Sequence, residues 1–240
     1  MGSVKVSVLM AAYNVEHYID EAIQSVLAQK GVSFELLIGD DASTDRTRSR
    51  IQAYRSDHRI RVWWFEVRRG PGSVRNYLIN RARGRYLSVC DADDVMFSKN
   101  LQRLSNVLDQ KRQVGVIYGE SLLIDAQGRF LPGQLFFPGP SRNWDLVRNT
   151  APHPGTMLRR DLVRQVGGYR PDLVPVEDHD LFLRLAEITH FEPLCGEITY
   201  LWRRHPESLT RSISLRRWLL LRSKALADAI YRRYRYRVTW

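Results

Sequence analysis

The sequence predicts an α/β protein: one domain built on a mainly parallel sheet flanked by helices, followed by a less regular C-terminal portion. Three observations carry this. Strand-like and helix-like stretches alternate through the first hundred residues, a rhythm that gives parallel strands with right-handed crossovers. The strand-like stretches are short and apolar, as in strands covered on both faces. Two of them, Phe34–Ile38 and Tyr86–Cys90, run directly into acidic clusters, Asp40-Asp41 and Asp91-Ala92-Asp93-Asp94.

Val4–Ala11 is the first strand. In the helix that follows, Glu16–Gln29, the residues Ile19, Ala22, Ile23, Val26 and Leu27 fall on one face. After the strand Phe34–Ile38, Ser43 is placed to cap a second helix that begins with Thr44, Asp45 and Arg46. Ile60–Phe65 is the third strand, Gly72–Arg81 the third helix and Tyr86–Cys90 the fourth strand. Leu101, Leu104, Val107 and Leu108 mark a fourth helix, with Ser98 as its expected cap. Further on, Val114–Tyr118 and Ser121–Ile124 read as strands, 125–128 as a turn and Leu131–Arg142 as a loop. Asp178–Glu187 reads as a helix and Ile198–Arg203 as a late strand. Neither a repeat nor a low-complexity linker divides the chain. The expected layout is one domain over 1–213, with halves 1–110 and 111–213, and a tail over 214–240.

With 240 residues, 44% of them hydrophobic, the chain can bury a substantial core. Two cysteines, Cys90 and Cys195, argue against a disulfide framework and suit a reducing compartment. No apolar run approaches the roughly 20 residues of a membrane span. Val6–Ala12 leads into an amphipathic helix, without a convincing cleavage site for a leader. Val6 stands where a myristoylation motif has Ser or Thr. The expected location is the cytoplasm, with peripheral contact at the cytoplasmic face of a membrane. The net charge of +11 is uneven: Leu215–Trp240 holds eight Arg or Lys and one acid, Asp228, so about +7 belongs to the tail.

Adjacent carboxylates at a buried strand end are costly unless a cation or hydrogen-bond donors compensate them. In open α/β sheets, ligands bind beyond the carboxyl ends of the strands. Two such ends point to a site for a metal ion and a polar or anionic ligand.

Five fragments occur in a fixed order. They are Val6–Asn14, Asp40–Asp45, Gly72-Ser73-Val74-Arg75-Asn76, Asp91-Ala92-Asp93-Asp94, and Val176-Glu177-Asp178-His179-Asp180-Leu181. Each is weak alone; the ordered set resembles the inverting nucleotide-sugar glycosyltransferases of family two, which have the GT-A fold. The resemblance covers about residues 4–210. It implies a nucleotide-sugar donor bound by the N-terminal half, a UDP-sugar or, since thymine offers Asp41 the same N3 donor, a TDP-sugar, and a saccharide or lipid-linked acceptor met by the C-terminal half. The irregular stretch from about Gly119 to Pro175 is where it specifies least.

The roles it implies suit the residue types. Ala11 and Tyr13 belong to the first loop, where Tyr13 would lie against the uracil, since an aromatic face stacks on a base. Asp41 would accept from uracil N3, with Asp40 orienting its loop. Arg75 would contact base or phosphates through its donor fork. Asp91-Ala92-Asp93 matches the family's DXD element: Asp91 and Ala92 at the donor, Asp93 on a divalent cation, Mn²⁺ or Mg²⁺. His205 sits where some relatives place a further metal or diphosphate ligand. Glu177-Asp178 matches the pair that carries the general base, Asp178 first and Glu177 as its alternative. His153 is a weaker candidate for the acceptor side, and Trp63, Trp64, Trp144 and Trp202 could stack on sugar rings or belong to the core.

In the tail, Leu215, Trp218, Leu219, Leu226, Ala229 and Ile230 can share one helix face. That gives a basic amphipathic helix suited to an anionic membrane, or to packing on the body. Ser214-Leu215-Arg216-Arg217-Trp218 approaches the QXXRW element of processive synthases but has Ser214 where the glutamine belongs, and no stretch reads as those enzymes' membrane helices, so a single sugar transfer is expected. Competing readings are a phosphatase with Asp91 as nucleophile, a nucleotide-sugar-binding protein without catalysis, and a basic module that binds nucleic acid or membrane. The phosphatase reading leaves four motifs unexplained, and no recognised nucleic-acid-binding motif is present; no nucleic acid is expected as partner.

Overall fold

The computed structural model describes residues 3–136, 153–209 and 213–236. The N-terminal half runs β1 (Val6–Ala12), α1 (Ile19–Leu27), β2 (Phe34–Asp41), α2 (Thr47–Gln52), β3 (Ile60–Phe65), α3 (Pro71–Ile79), β4 (Tyr86–Val89), β5 (Val95–Met96) and α4 (Asn100–Gln110). The second half runs β6 (Val114–Ile124), β7 (Phe130–Phe136), β8 (Met157–Arg159), α5 (Arg160–Gln165), a 3₁₀ turn (Pro171–Leu173), α6 (Glu177–Leu185), β9 (His190–Arg203) and α7 (Leu215–Tyr236).

Nine strands form one sheet in the order β3-β2-β1-β4-β8-β6-β9-β5, with β7 paired to β6. β1 pairs in parallel with both β2 and β4, and β2 with β3. The chain therefore winds outward from β1 in one direction and returns to its other side at β4. A crevice opens at such a switch point, beyond the carboxyl ends of the strands. Beyond β4 the sheet becomes mixed: β8 is antiparallel to both β4 and β6, whereas β6 and β9 are parallel.

The period-2 alternation of the strands feeds two cores. Leu9, Leu37, Leu87 and Val89 face α3 and α6 on one side; Val8, Leu36, Ile38 and Tyr86 face α1 and α4 on the other. At about 1.5–3 kcal/mol for each fully buried aliphatic side chain, these two layers hold a scaffold that tolerates charges at the strand ends. Gly39 lets α3 lie close: a Cβ there would meet Val74 Cγ1 at 2.4 Å. Gly70 adopts φ +81° just before α3, and Pro71 then begins the helix.

Several sequence-based boundaries shift. Ser43 does not cap α2; its hydroxyl accepts from the Asn14 N–H, while the Asp45 carboxylate takes the N–H groups of Thr47 and Glu16. Ser98 does not cap α4 either, because Lys99, at φ +59°, stands between them. The strands expected at 114–118 and 121–124 are one strand, β6. The loop expected over 131–142 begins as strand β7, paired to β6 across the 125–128 turn; its remainder, and Trp144, lie outside the described residues. β9 starts at His190, well before the expected Ile198, and its register with β6 shifts around Gly196, which has φ +77°. The helical face expected in the tail is divided. Ala225 and Ala229 are fully buried against the body, with Trp218, Leu221 and Leu226 beside them, whereas Leu215, Leu219 and Ile230 are exposed. Ion pairs Arg170–Asp228, Lys224–Asp172 and Arg232–Glu187 pin α7 beside α6.

Candidate active site

Beyond the ends of β1, β2 and β4 lies a cleft of about 750 Å³. Ala11 and Tyr13 reach it from the end of β1, Asp41 from β2, Arg75 from α3, and Asp91, Ala92 and Asp93 from the loop after β4. Glu177 and Asp178 enter from the first turn of α6, and His205 from just past β9. These ten residues line one cleft, and so do His153 and Trp202, whereas Asp40 is buried outside it and Trp63 and Trp64 pack against the cores.

The two strand-end acidic clusters are handled differently. Asp40 is fully buried; it accepts from Arg48 Nε at 2.7 Å and from the Ser43 N–H at 3.3 Å. Asp41 receives the backbone N–H groups of Arg69 and Gly70 at 2.7 and 2.8 Å, which shapes the loop leading into α3. That loop lays the Arg68 guanidinium 3.8 Å from the centre of the Tyr13 ring.

At the end of β4 the carboxylates crowd. Arg75 donates to Asp91 at 2.6 Å and to Glu177 at 3.3 Å, and lies 5.7 Å from the Tyr169 ring. Burial opposes the Arg75 charge, yet the nearby Asp91 and Glu177 carboxylates outweigh it and raise its pKa. Arg75 thus ties the loop after β4 to α6, a link that the sequence does not announce.

Asp94 is buried and accepts from the Arg203 N–H at 2.7 Å; burial, then Asp93 and Asp91, push its pKa far up. Tyr200 accepts the Asp91 N–H at 2.8 Å, and Arg203 donates to the Asp93 carbonyl at 2.8 Å. β9 thus braces the whole acidic loop.

Asp178 stands apart. Burial, and then the charge of Glu177, lift its pKa to about 7. Its Oδ1 accepts the His179 N–H at 2.7 Å. A carboxylate poised near neutrality can take a proton from a hydroxyl and hold it. Burial also pushes the His153 imidazole well down, with Arg75 adding to it, so the ring is neutral where it meets the Tyr169 hydroxyl at 2.7 Å.

On the opposite wall, His205 Nε2 lies 2.9 Å from Asp93 Oδ2, and its Nδ1 lies 3.0 Å from Glu207. The hydrogen bond to Asp93 raises the His205 pKa. Among the described residues no three His, Cys, Asp or Glu side chains group closely enough to hold a metal ion by themselves. The pair Asp93–His205 nevertheless fits an ion that keeps most of its sites for phosphate oxygens and water, as Mg²⁺ does with one or two carboxylates. It sits in a wall rich in negative charge, where a cation is favoured.

Reading the sequence missed Tyr169, Tyr200, Arg203 and the structural part of Asp94. Asp94 stands in the visible acidic run. Nothing local distinguishes Arg203 from Arg204, or Tyr200 from other strand tyrosines.

An open sheet with its cleft at the β1/β4 switch point, and carboxylates converging there from three elements, defines a glycosyltransferase domain of the GT-A type. The chain belongs to the family described as glycosyl transferase family 2, whose model matches residues 7–167. It is 31% identical to EpsE of Bacillus subtilis over 76% of this chain and 67% of that protein. It is 35% identical to the UDP-Glc:alpha-D-GlcNAc-diphosphoundecaprenol beta-1,3-glucosyltransferase WfgD of Escherichia coli, over 54% of this chain and 51% of that one. The chain thus spans about two thirds of one relative and half of the other. Among solved structures, S. aureus TarS 1-349 with UDP-GlcNAc superposes with a TM-score of 0.75 at 21% identity, over 97% of this chain and 73% of that one. The mannosyltransferase PcManGT from Pyrobaculum calidifontis, with GDP-Man and Mn²⁺, gives 0.68 at 17% identity, over 98% and 65%. Both share the fold.

Proposed function

We propose that this chain transfers a single sugar from a UDP-sugar to an acceptor hydroxyl, with inversion at the anomeric carbon, in the synthesis of a bacterial surface glycan or glycolipid. The observation that carries the proposal is Asp178, a carboxylate lifted to about 7 in the same cleft as the acidic loop after β4. In this reading residues 1–110 bind the donor and 111–213 meet the acceptor.

Tyr13 offers its ring to the uracil. Asp41, whose two oxygens each keep a lone pair after accepting Arg69 and Gly70, takes the N3–H. Asp91 accepts from the ribose, and the small Ala11 and Ala92 leave room for the diphosphate. Asp93 and His205 are the residues that would hold Mn²⁺ or Mg²⁺; a bound ion neutralises charge on the departing diphosphate. The acceptor oxygen attacks C1 from the face opposite the diphosphate. The new glycosidic bond forms as the C1–O bond to phosphate breaks, and the hydroxyl proton passes to Asp178. Glu177, held by Arg75, lies beside Asp178 and adds to the rise of the Asp178 pKa.

A UDP donor is supported by the UDP-Glc of WfgD and the UDP-GlcNAc bound in TarS. The diphosphoundecaprenol-linked acceptor of WfgD supports a lipid-linked acceptor. The test is thermal unfolding with UDP, TDP, GDP and ADP, each with and without Mn²⁺. At 100 times its dissociation constant a ligand adds about 2.7 kcal/mol, a rise of roughly 5–10 °C for a domain of this size. A rise with UDP that requires Mn²⁺ supports the donor site; no rise with any nucleotide overturns it.

A further inference from the structure

α7 turns its smallest residues inward and its largest apolar ones outward. Ala225 and Ala229 are fully buried on the body, yet Leu220 is 69% exposed, Ile230 57%, Tyr231 61% and Tyr234 87%. Leu219–Ile230 and Leu220–Tyr231 are each spaced by eleven residues, about three helical turns, so they form two adjacent rows along one side. That side lies opposite the Ala225–Ala229 seam.

The charges on α7 sort the same way. Its one acid, Asp228, turns to Arg170 and is neutralised at 2.6 Å. Lys224 and Arg232 pair with Asp172 and Glu187. Arg216, Arg217 and Arg235 remain exposed beside the apolar rows. The outward side therefore carries two apolar rows with Tyr234 between them, Arg216 at its N-terminal end, Arg217 and Arg235 along one edge, and no acid. Among the described residues no helix is long and apolar enough to cross a membrane. A helix of this pattern lies flat in the headgroup region, with tyrosines at the boundary.

We infer that the outer face of α7 docks the protein on an anionic lipid surface. Charge decides between this occupant and a second copy of the chain. A two-fold pairing of the face would set like-charged margins against each other, whereas an anionic leaflet favours each basic side chain by about fivefold in partition. Trp218, on the first turn of α7 and on its inward side, lines the cleft together with Leu209. Docking by the outer face therefore keeps the cleft one helix diameter, roughly 10 Å, from the lipid surface, within reach of a lipid-carried acceptor. This last step rests on the transfer reading of the cleft; the docking face does not.

The experiment is co-sedimentation of the full chain with phosphatidylcholine vesicles, with and without 30% phosphatidylglycerol. It compares wild type, Leu220→Glu/Ile230→Glu and Arg216→Gln/Arg217→Gln, and the Mn²⁺-dependent UDP shift is measured on each. The expected result is at least tenfold stronger partition of wild type onto the anionic vesicles. The apolar double variant should lose it at least tenfold, the arginine variant should weaken it in a salt-dependent way, and the UDP shift should stay unchanged in both. Equal partition of wild type onto both vesicle types, or variants that bind as wild type does, overturns the inference even where the UDP shift is intact. So does a wild-type dimer in light scattering that the apolar variant converts to monomer. Vesicle binding without any UDP shift upholds the docking face and sinks the transfer reading instead.

Discussion

The ends of β2 and β4 carry acidic clusters that look alike in the sequence and differ in use. At β2, Asp40 and Asp41 spend their hydrogen bonds on the protein itself: Arg48, the Ser43 N–H, and the N–H groups of Arg69 and Gly70. At β4, the Asp91 and Asp93 carboxylates face the cleft and meet side chains, Arg75 and His205. The first cluster builds a loop. The second leaves charge for a ligand to satisfy, and at α6 Asp178 extends it with a proton acceptor near neutrality. The first cluster is tied to the loops that follow β2, whereas Asp91 and Asp93 keep carboxylate oxygens turned to the cleft.

Substitutions test that contrast. The largest effect is expected at Asp178→Asn: transfer rate falls by about 10³-fold, since a positioned base contributes roughly 10²–10⁴, while the UDP-induced thermal shift persists. Loss of UDP binding as well would break the contrast. Asp93→Asn comes next. It should abolish the Mn²⁺-dependent part of the UDP shift and cost about 10²-fold in kcat/KM, with the ligand-free midpoint unchanged. Asp40→Ala should do the opposite, lowering stability by about 2 kcal/mol. That is below the usual 3–5 for a broken buried pair because Arg48 is partly exposed and water compensates it. Calorimetry should then show a midpoint about 4–8 °C lower, with KM for the donor retained.

The smallest effect is in pH. Asp178 must be ionised to act, so kcat/KM should climb up to an apparent pKa of about 7 and flatten above it. Its proton is held more tightly folded than unfolded, so its contribution to stability is largest in acid and fades as pH rises from about 4 to 7. Asp178→Asn should therefore raise the melting midpoint at pH 8 and leave it unchanged near pH 4. A midpoint lowered at pH 8 would mean that Asp178 serves the fold.

The N-terminal half was legible because its signals are local. Val8, Leu36 and Ile38 pack one face of the sheet and Leu9 and Leu37 the other, so the strands read as apolar runs. Each acidic cluster directly follows its strand. The remainder depends on partners far apart in sequence. Nothing around Arg75 announces Glu177. The composition Leu131-Pro132-Gly133 hides strand β7, and Pro193 with Gly196 hides the first half of β9. α7 misled for a physical reason: alanines allow close approach, so Ala225 and Ala229 make the seam, and the bulky residues that signal a core in most helices face away.

Arg75 joins two carboxylates whose nearer partner to α6, Glu177, lies 102 residues along the chain. One guanidinium is shared between the wall that would receive the donor and the wall that would receive the acceptor. Whatever competes for it at Asp91 changes what it offers Glu177. Coupling of this kind is reciprocal: a compound that draws Arg75 toward the donor wall alters acceptor affinity by the same factor as the acceptor alters its own. An inhibitor chosen against the donor pocket alone would therefore change in potency with the acceptor present in the assay.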